Sequence, residues 1–77
     1  DLTSVNGESV LVGCFDYKGK NAYYVVNNSL SQNTTAKLTF FSDVKATCFT
    51  LKSDYNTSGK MLSLNLTAGE GVLIVLN

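Results

Sequence analysis

The chain has 77 residues, with six Lys, six acids, no Arg and no His, for a formal net charge of zero. Without His there is no imidazole base, no His metal ligand and no protease triad built on His. Without Arg or net positive charge there is no electrostatic footprint for DNA or RNA.

The length allows one small domain, residues 1–77. Hydrophobic residues make up 44% of it, enough for one core, and the content of aromatic and β-branched residues argues against disorder. No apolar run exceeds five residues. A membrane-spanning helix needs about 20, so no membrane partner is expected. The sequence begins at Asp1 without a basic, apolar leader, and it ends at Asn77 directly after a strand-like run. These ends lead us to expect a C-terminal domain cut from a larger protein.

The hydrophobic pattern has a period of two almost throughout. A weak first strand is expected at Leu2–Val5, then stronger ones at Val10–Tyr17 and Ala22–Asn27, rich in Val, Tyr and Phe. Tyr17-Lys18-Gly19-Lys20-Asn21 between them predicts a hairpin turn, with Gly19 free to take positive φ. Asn27 to Thr35 is a polar connection. Ala36, Leu38 and Phe40 then alternate with Lys37, Thr39 and Phe41, and Ser42-Asp43 is expected as a short link. Phe49 and Leu51 alternate with Thr50 and Lys52, and this places Cys48 on the face opposite Phe49. Asp54 to Lys60 is expected as a surface loop. Leu62, Leu64 and Leu66 alternate with Met61, Ser63 and Asn65, the pattern of a half-buried strand. Ala68-Gly69-Glu70-Gly71 is a tight connection into Val72–Leu76, which is apolar on both faces, as in a central or doubly covered strand.

This punctuation predicts an all-β fold, a small antiparallel β-sandwich of about six strands. Its expected core is Leu38, Phe40, Phe49, Leu51, Leu62, Leu64, Leu66 and Ile74. The apolar residues on the second face of Val72–Leu76, and Phe41 opposite Leu38 and Phe40, predict apolar surface outside that core and hence an interface.

Candidate chemistry is sparse. Asp1, Glu8, Asp16, Asp43, Asp54 and Glu70 are scattered over turns and strand ends, with no facing pair of the kind a glycosidase needs. They lack the Asp-x-Asp-x-Asp spacing of a calcium loop, so no catalytic group, metal or cofactor is expected. Cys14 and Cys48 have neither zinc nor redox-motif spacing. They are either a cross-strand disulfide, as in an exported domain, or two free thiols behaving as small hydrophobes. Four Asn-x-Ser/Thr triplets start at Asn27, Asn33, Asn56 and Asn65, where about two would occur by chance. In a eukaryotic secreted protein they would be glycan acceptors. Tyr17, Tyr23 and Tyr24 flank the first hairpin turn and are the candidate carbohydrate platform, although Trp, the usual stacking ring, is absent.

Leu11-Val12-Gly13-Cys14-Phe15, the Lys-Gly-Lys turn and Ala22-Tyr23-Tyr24-Val25-Val26-Asn27-Asn28-Ser29 resemble the entry hairpin of accessory β-domains that follow the catalytic barrel of many glycoside hydrolases. Leu64-Asn65-Leu66-Thr67-Ala68-Gly69-Glu70-Gly71-Val72-Leu73-Ile74-Val75-Leu76 is similar to their closing hairpin. The resemblance runs from Glu8 to Asn77. Gly13 would admit a bulge or close packing in such a strand, and Cys14 departs from the aromatic the family usually places nearby. The family's catalytic carboxylates lie in the barrel, so the resemblance implies a fragment that is itself no enzyme. It implies a non-catalytic domain, extracellular or at the cell surface, packed on the catalytic domain of the same polypeptide. The alternative is a carbohydrate-binding or adhesion module.

Overall fold

The structure, a computed structural model, describes residues 2–77. Among these are six strands and no helix: β1 (Leu2–Asn6), β2 (Val10–Tyr17), β3 (Lys20–Asn27), β4 (Thr34–Phe49), β5 (Asp54–Leu66) and β6 (Gly71–Leu76). All pair antiparallel in one sheet of order β1-β4-β6-β3-β2, with β5 on the other edge of β4. The sheet curls into a half-barrel. The fold is therefore all-β and antiparallel, as the alternation predicted, and the opposed faces of the core come from one sheet bent over on itself.

The long strand β4 makes that bend. Lys37–Phe40 pairs with β1 and Ala46–Phe49 with β6, while β5 follows the other edge of β4. The β4–β5 register shifts between Thr39 and Val44, where Val44 faces Gly59 at φ 133°. Ser42-Asp43, expected as a link between strands, lies in this irregular stretch of one continuous strand. A bulge adds twist and bends the strand without ending it. The expected loop at Asp54–Lys60 is likewise strand, paired residue by residue from Asp54↔Phe49 to Gly59↔Val44. Its polar composition reflects an exposed edge.

The β2–β3 hairpin forms as the turn residues require. Lys18 (φ 53°) and Gly19 (φ 81°) both have positive φ, the signature of a type I′ turn that matches strand twist. The two-residue turn sets a register of eight unbroken pairs, from Tyr17↔Lys20 to Val10↔Asn27. Gly13 makes no bulge, and a Cβ there would meet nothing within 4 Å, so neither reason given for a strand glycine applies at this position.

The core fills the concave side. Ala36, Leu38 and Phe40 of β4, Leu62, Leu64 and Leu66 of β5, Val72 and Ile74 of β6, and Tyr23 and Val25 of β3 are buried there together with Ala46 and Cys48. Six of the eight expected core residues are among them; Phe49 and Leu51 are not. The inward row of β4 stays in one parity, so Ala46 and Cys48 face inward and Phe49 outward. Leu51 is 96% exposed at the tip of the β4–β5 turn. Thr50 makes that turn: its Oγ1 accepts from the Ser53 amide at 3.0 Å and donates to the Ser53 carbonyl at 2.6 Å.

Among the described residues one polar side chain, that of Asn27, is fully buried. The Asn27 Nδ2 group donates to the carbonyls of Gln32 (2.7 Å), Thr67 (3.1 Å) and Leu66 (3.3 Å), and its Oδ1 accepts from the Ser29 amide at 3.0 Å. It ties the β3–β4 loop to the end of β5.

Candidate functional site

The register places every side chain of the first hairpin on a definite face. Cys14, Tyr23 and Ile74 form one concave-side row across β2, β3 and β6, and the row continues to Cys48 of β4. Gly13, Tyr24, Leu73 and Phe49 form the next row, on the convex side. The three candidate tyrosines are thus divided. Tyr23 is buried and meets Phe40 edge-on, with centroids 5.8 Å apart and planes at 64°. Tyr17 and Tyr24 lie on the convex face, 40% and 47% exposed. The Lys18 ammonium sits 5.3 Å from the Tyr17 centroid, within cation–π range. Tyr24 lies over Gly71, where an added Cβ would collide with its hydroxyl.

These tyrosines belong to a broad apolar surface. On the convex side Leu11, Phe15 and Tyr17 of β2, Tyr24 and Val26 of β3, Leu73 and Val75 of β6 and Phe49 of β4 stand in adjacent rows. Leu11, Phe15, Tyr17, Tyr24 and Phe49 are all exposed. Charge is confined to the rim, with Lys20 at the hairpin end, Lys45 on β4 and Asp54 on β5. An exposed apolar centre with a charged rim is the anatomy of an interaction surface. The two-faced character of Val72–Leu76 was the sequence signal for it. Leu11, Phe15 and Phe49 could have been added once the strand register was known. Phe41, 75% exposed beside the β4 irregularity, forms no part of these rows.

Both thiols are free, Cys14 exposed and Cys48 buried. Tyr23 and Ile74 stand between them in one row, which puts the two residues three strand spacings apart. A disulfide needs Cα atoms within about 7 Å, and neighbouring strands already lie about 4.8 Å apart. Of the two alternatives, the disulfide is therefore not formed here and the pair of free thiols is. Burial pushes the Cys48 thiol above its ordinary range, partly offset by a hydrogen bond with Tyr55, and burial also raises the Tyr55 phenol.

The acids do not assemble. An open groove of about 600 Å³ is lined by Glu8, Asn33, Thr34, Thr35, Asn65, Leu66 and Thr67, and it contains a single carboxylate. Glu70 is structural: its Oε1 accepts from the Thr67 amide at 2.9 Å and the Thr67 hydroxyl at 3.1 Å, locking the β5–β6 turn. Among the described residues no three His, Cys, Asp or Glu side chains group as metal ligands. Asp1 lies outside the described residues.

The four Asn-x-Ser/Thr sites also separate. Asn27 is buried with its amide fully engaged, so it cannot accept a glycan in the folded chain. Asn33, Asn56 and Asn65 are exposed. Asn56 and Asn65 each accept a hydrogen bond from a cross-strand threonine, Thr47 at 3.0 Å and Thr35 at 3.1 Å. No known family, no curated protein and no solved structure matches this chain.

Proposed function

We propose that this chain is a non-catalytic accessory β-domain that docks through its convex face onto the catalytic domain of the same polypeptide. The carrying observation is the exposed apolar surface of Leu11, Phe15, Tyr17, Tyr24 and Phe49 on the convex face, opposite the main buried cluster. A folded domain gains nothing internally from exposing five large apolar side chains on one face. Burying them against a neighbour contributes about 25 cal/mol per Å² of apolar area. The hairpin and closing-strand resemblance makes that neighbour a glycoside hydrolase barrel, and the setting extracellular or cell-surface.

Nitration of Tyr17 and Tyr24 by tetranitromethane tests the docking. In the isolated 77-residue chain both react readily. In the natural polypeptide carrying its catalytic domain, both should be protected. Equal reactivity in the two, or a natural polypeptide with no second domain, overturns the reading.

A second reading, a carbohydrate-binding or adhesion module, draws on the exposed rings of Tyr17 and Tyr24. It requires chemical-shift changes at these residues on titration with oligosaccharides. No change at millimolar sugar removes it.

A further inference from the structure

We propose that β2 is a pairing edge through which two copies of this chain join, antiparallel and about a two-fold axis at Cys14, into one continuous sheet. The hydrogen-bond parity comes from the hairpin. A two-residue turn makes Tyr17↔Lys20 a hydrogen-bonded pair, and such pairs then recur at every second residue. The Asn28 amide donates to the Ser9 carbonyl at 2.7 Å, in phase with that pattern. Ser9, Leu11, Gly13, Phe15 and Tyr17 thus direct their backbone groups toward β3. Val10, Val12, Cys14 and Asp16 direct theirs away from the sheet. Among the described residues no strand pairs with that outer edge.

This edge carries fewer of the protections found on the others, Asp16 being its one charge. β1 has a register shift between Leu2 and Ser4. β5 carries Asp54 and Lys60 and is broken in register opposite Thr39–Val44. β2 has eight regularly paired residues, Val-Leu-Val-Gly-Cys-Phe-Asp-Tyr, with no Lys, no Pro and no bulge. Edges of this kind are templates for another strand.

The occupant is a second copy because β2 complements itself. The outward-directed residues have even numbers, so a two-fold axis passes through a residue and not between two. An axis at Cys14 opposes Cys14 to the partner's Cys14, Val12 to the partner's Asp16, Gly13 to the partner's Phe15 and Leu11 to the partner's Tyr17. No like charges meet. Gly13 has open space above it. Its pairing with Phe15 is of the close, non-hydrogen-bonded type, which lays a ring over each glycine. An axis at Gly13 would instead oppose two glycines and leave that space empty. Pairing lies in the plane of the sheet, so the convex apolar face stays free and is doubled in width. Eight residues per copy make a small interface, so the dimer is a weak one, populated between micromolar and millimolar chain.

Sedimentation equilibrium and amide exchange on the reduced 77-residue chain test this. Between tens of micromolar and about 1 mM chain, the average mass should rise from 8.3 kDa toward twice that value. Over the same range, exchange at the Val12, Cys14 and Asp16 amides should slow at least about tenfold, because these amides gain partners only in the dimer. A dimer formed through the convex face would leave them fast. Cys14→Lys puts two ammonium groups opposite each other and should hold the chain monomeric, with an unchanged far-ultraviolet circular dichroism spectrum. A constant mass up to about 1 mM, exchange at these three amides that is independent of concentration, or undiminished pairing by Cys14→Lys each overturns the proposal.

Discussion

Asn27 is the residue on which most depends. Its amide serves three carbonyls in two different connections, and of these the Thr67 carbonyl also accepts from the Glu70 amide. Asn27→Ala should cost about 3 kcal/mol, measured by urea unfolding, out of roughly 4–11 kcal/mol expected for a domain of this size. Asn27→Asp replaces donors by a carboxylate facing carbonyl oxygens. Its folded pKa is raised, so the variant should be most stable in acid and lose stability as pH rises above about 4, where the unfolded carboxyl ionises. A flat pH profile for this variant would contradict the hydrogen-bond assignment. Cys48 has the same sign at higher pH. Its raised folded pKa means that stability is fully present below the unfolded thiol value of 9.0 and falls as pH rises past it. Cys48→Ala should remove that part of the alkaline decline. In native chain a disulfide-exchange reagent should titrate Cys14 quickly and Cys48 only through unfolding, while denaturant should expose both thiols. The sequence left the two cysteines open between a bond and two thiols. Only the row Cys14–Tyr23–Ile74–Cys48 separates them.

At the scale of the element, turn chemistry was the most legible part. Lys18-Gly19 announced a hairpin turn with positive φ at Gly19; the structure adds positive φ at Lys18, making the turn type I′, and the register from Val10 to Tyr17 follows from it. Lys18 at φ 53° pays the strain of a left-handed conformation, which Asn tolerates better, so Lys18→Asn should raise stability by about 0.5–1 kcal/mol in thermal melts. Gly71→Ala should push the Tyr24 ring aside and cost about 1 kcal/mol, a small loss because that ring end is partly exposed and can move. The β4–β5 hairpin was the least legible element. Alternation ran on through Phe49, Thr50 and Leu51 as if the strand continued, and the turn rests on one threonine hydroxyl. The polar run from Asp54 had the composition of a loop because it is an edge with little buried surface to signal its pairing.

For the whole molecule, the curl of one sheet is what separates the two faces. The core list was right where one strand carried three apolar residues in one parity, as in Leu62, Leu64 and Leu66. It failed at Phe49, whose apolarity belongs to the convex surface. Docking through that surface predicts a concrete contrast: Phe15→Ser, at a half-exposed site beside the buried Ala22, should cost the isolated domain about 1 kcal/mol, yet weaken attachment to a neighbouring domain by more than that. Equal loss in both would make Phe15 a core residue. Of the candidate carbohydrate residues, Tyr17 and Tyr24 share the convex face and Tyr23 does not. Adjacent residues in a strand point to opposite sides, so the cluster seen along the sequence could not have stayed whole.

Alternation, turn residues and composition by themselves determined an all-β chain of about six strands with no imidazole chemistry. These are local properties, readable wherever side chains alternate within one strand. The tertiary structure decided which apolar residues enter the core, whether the cysteines meet and which strand edge is left unpaired. Those outcomes depend on which strand lies beside which, and β4 ends up next to β1, β5 and β6 at once. Such pairings join residues far apart in the chain, and no local pattern encodes them.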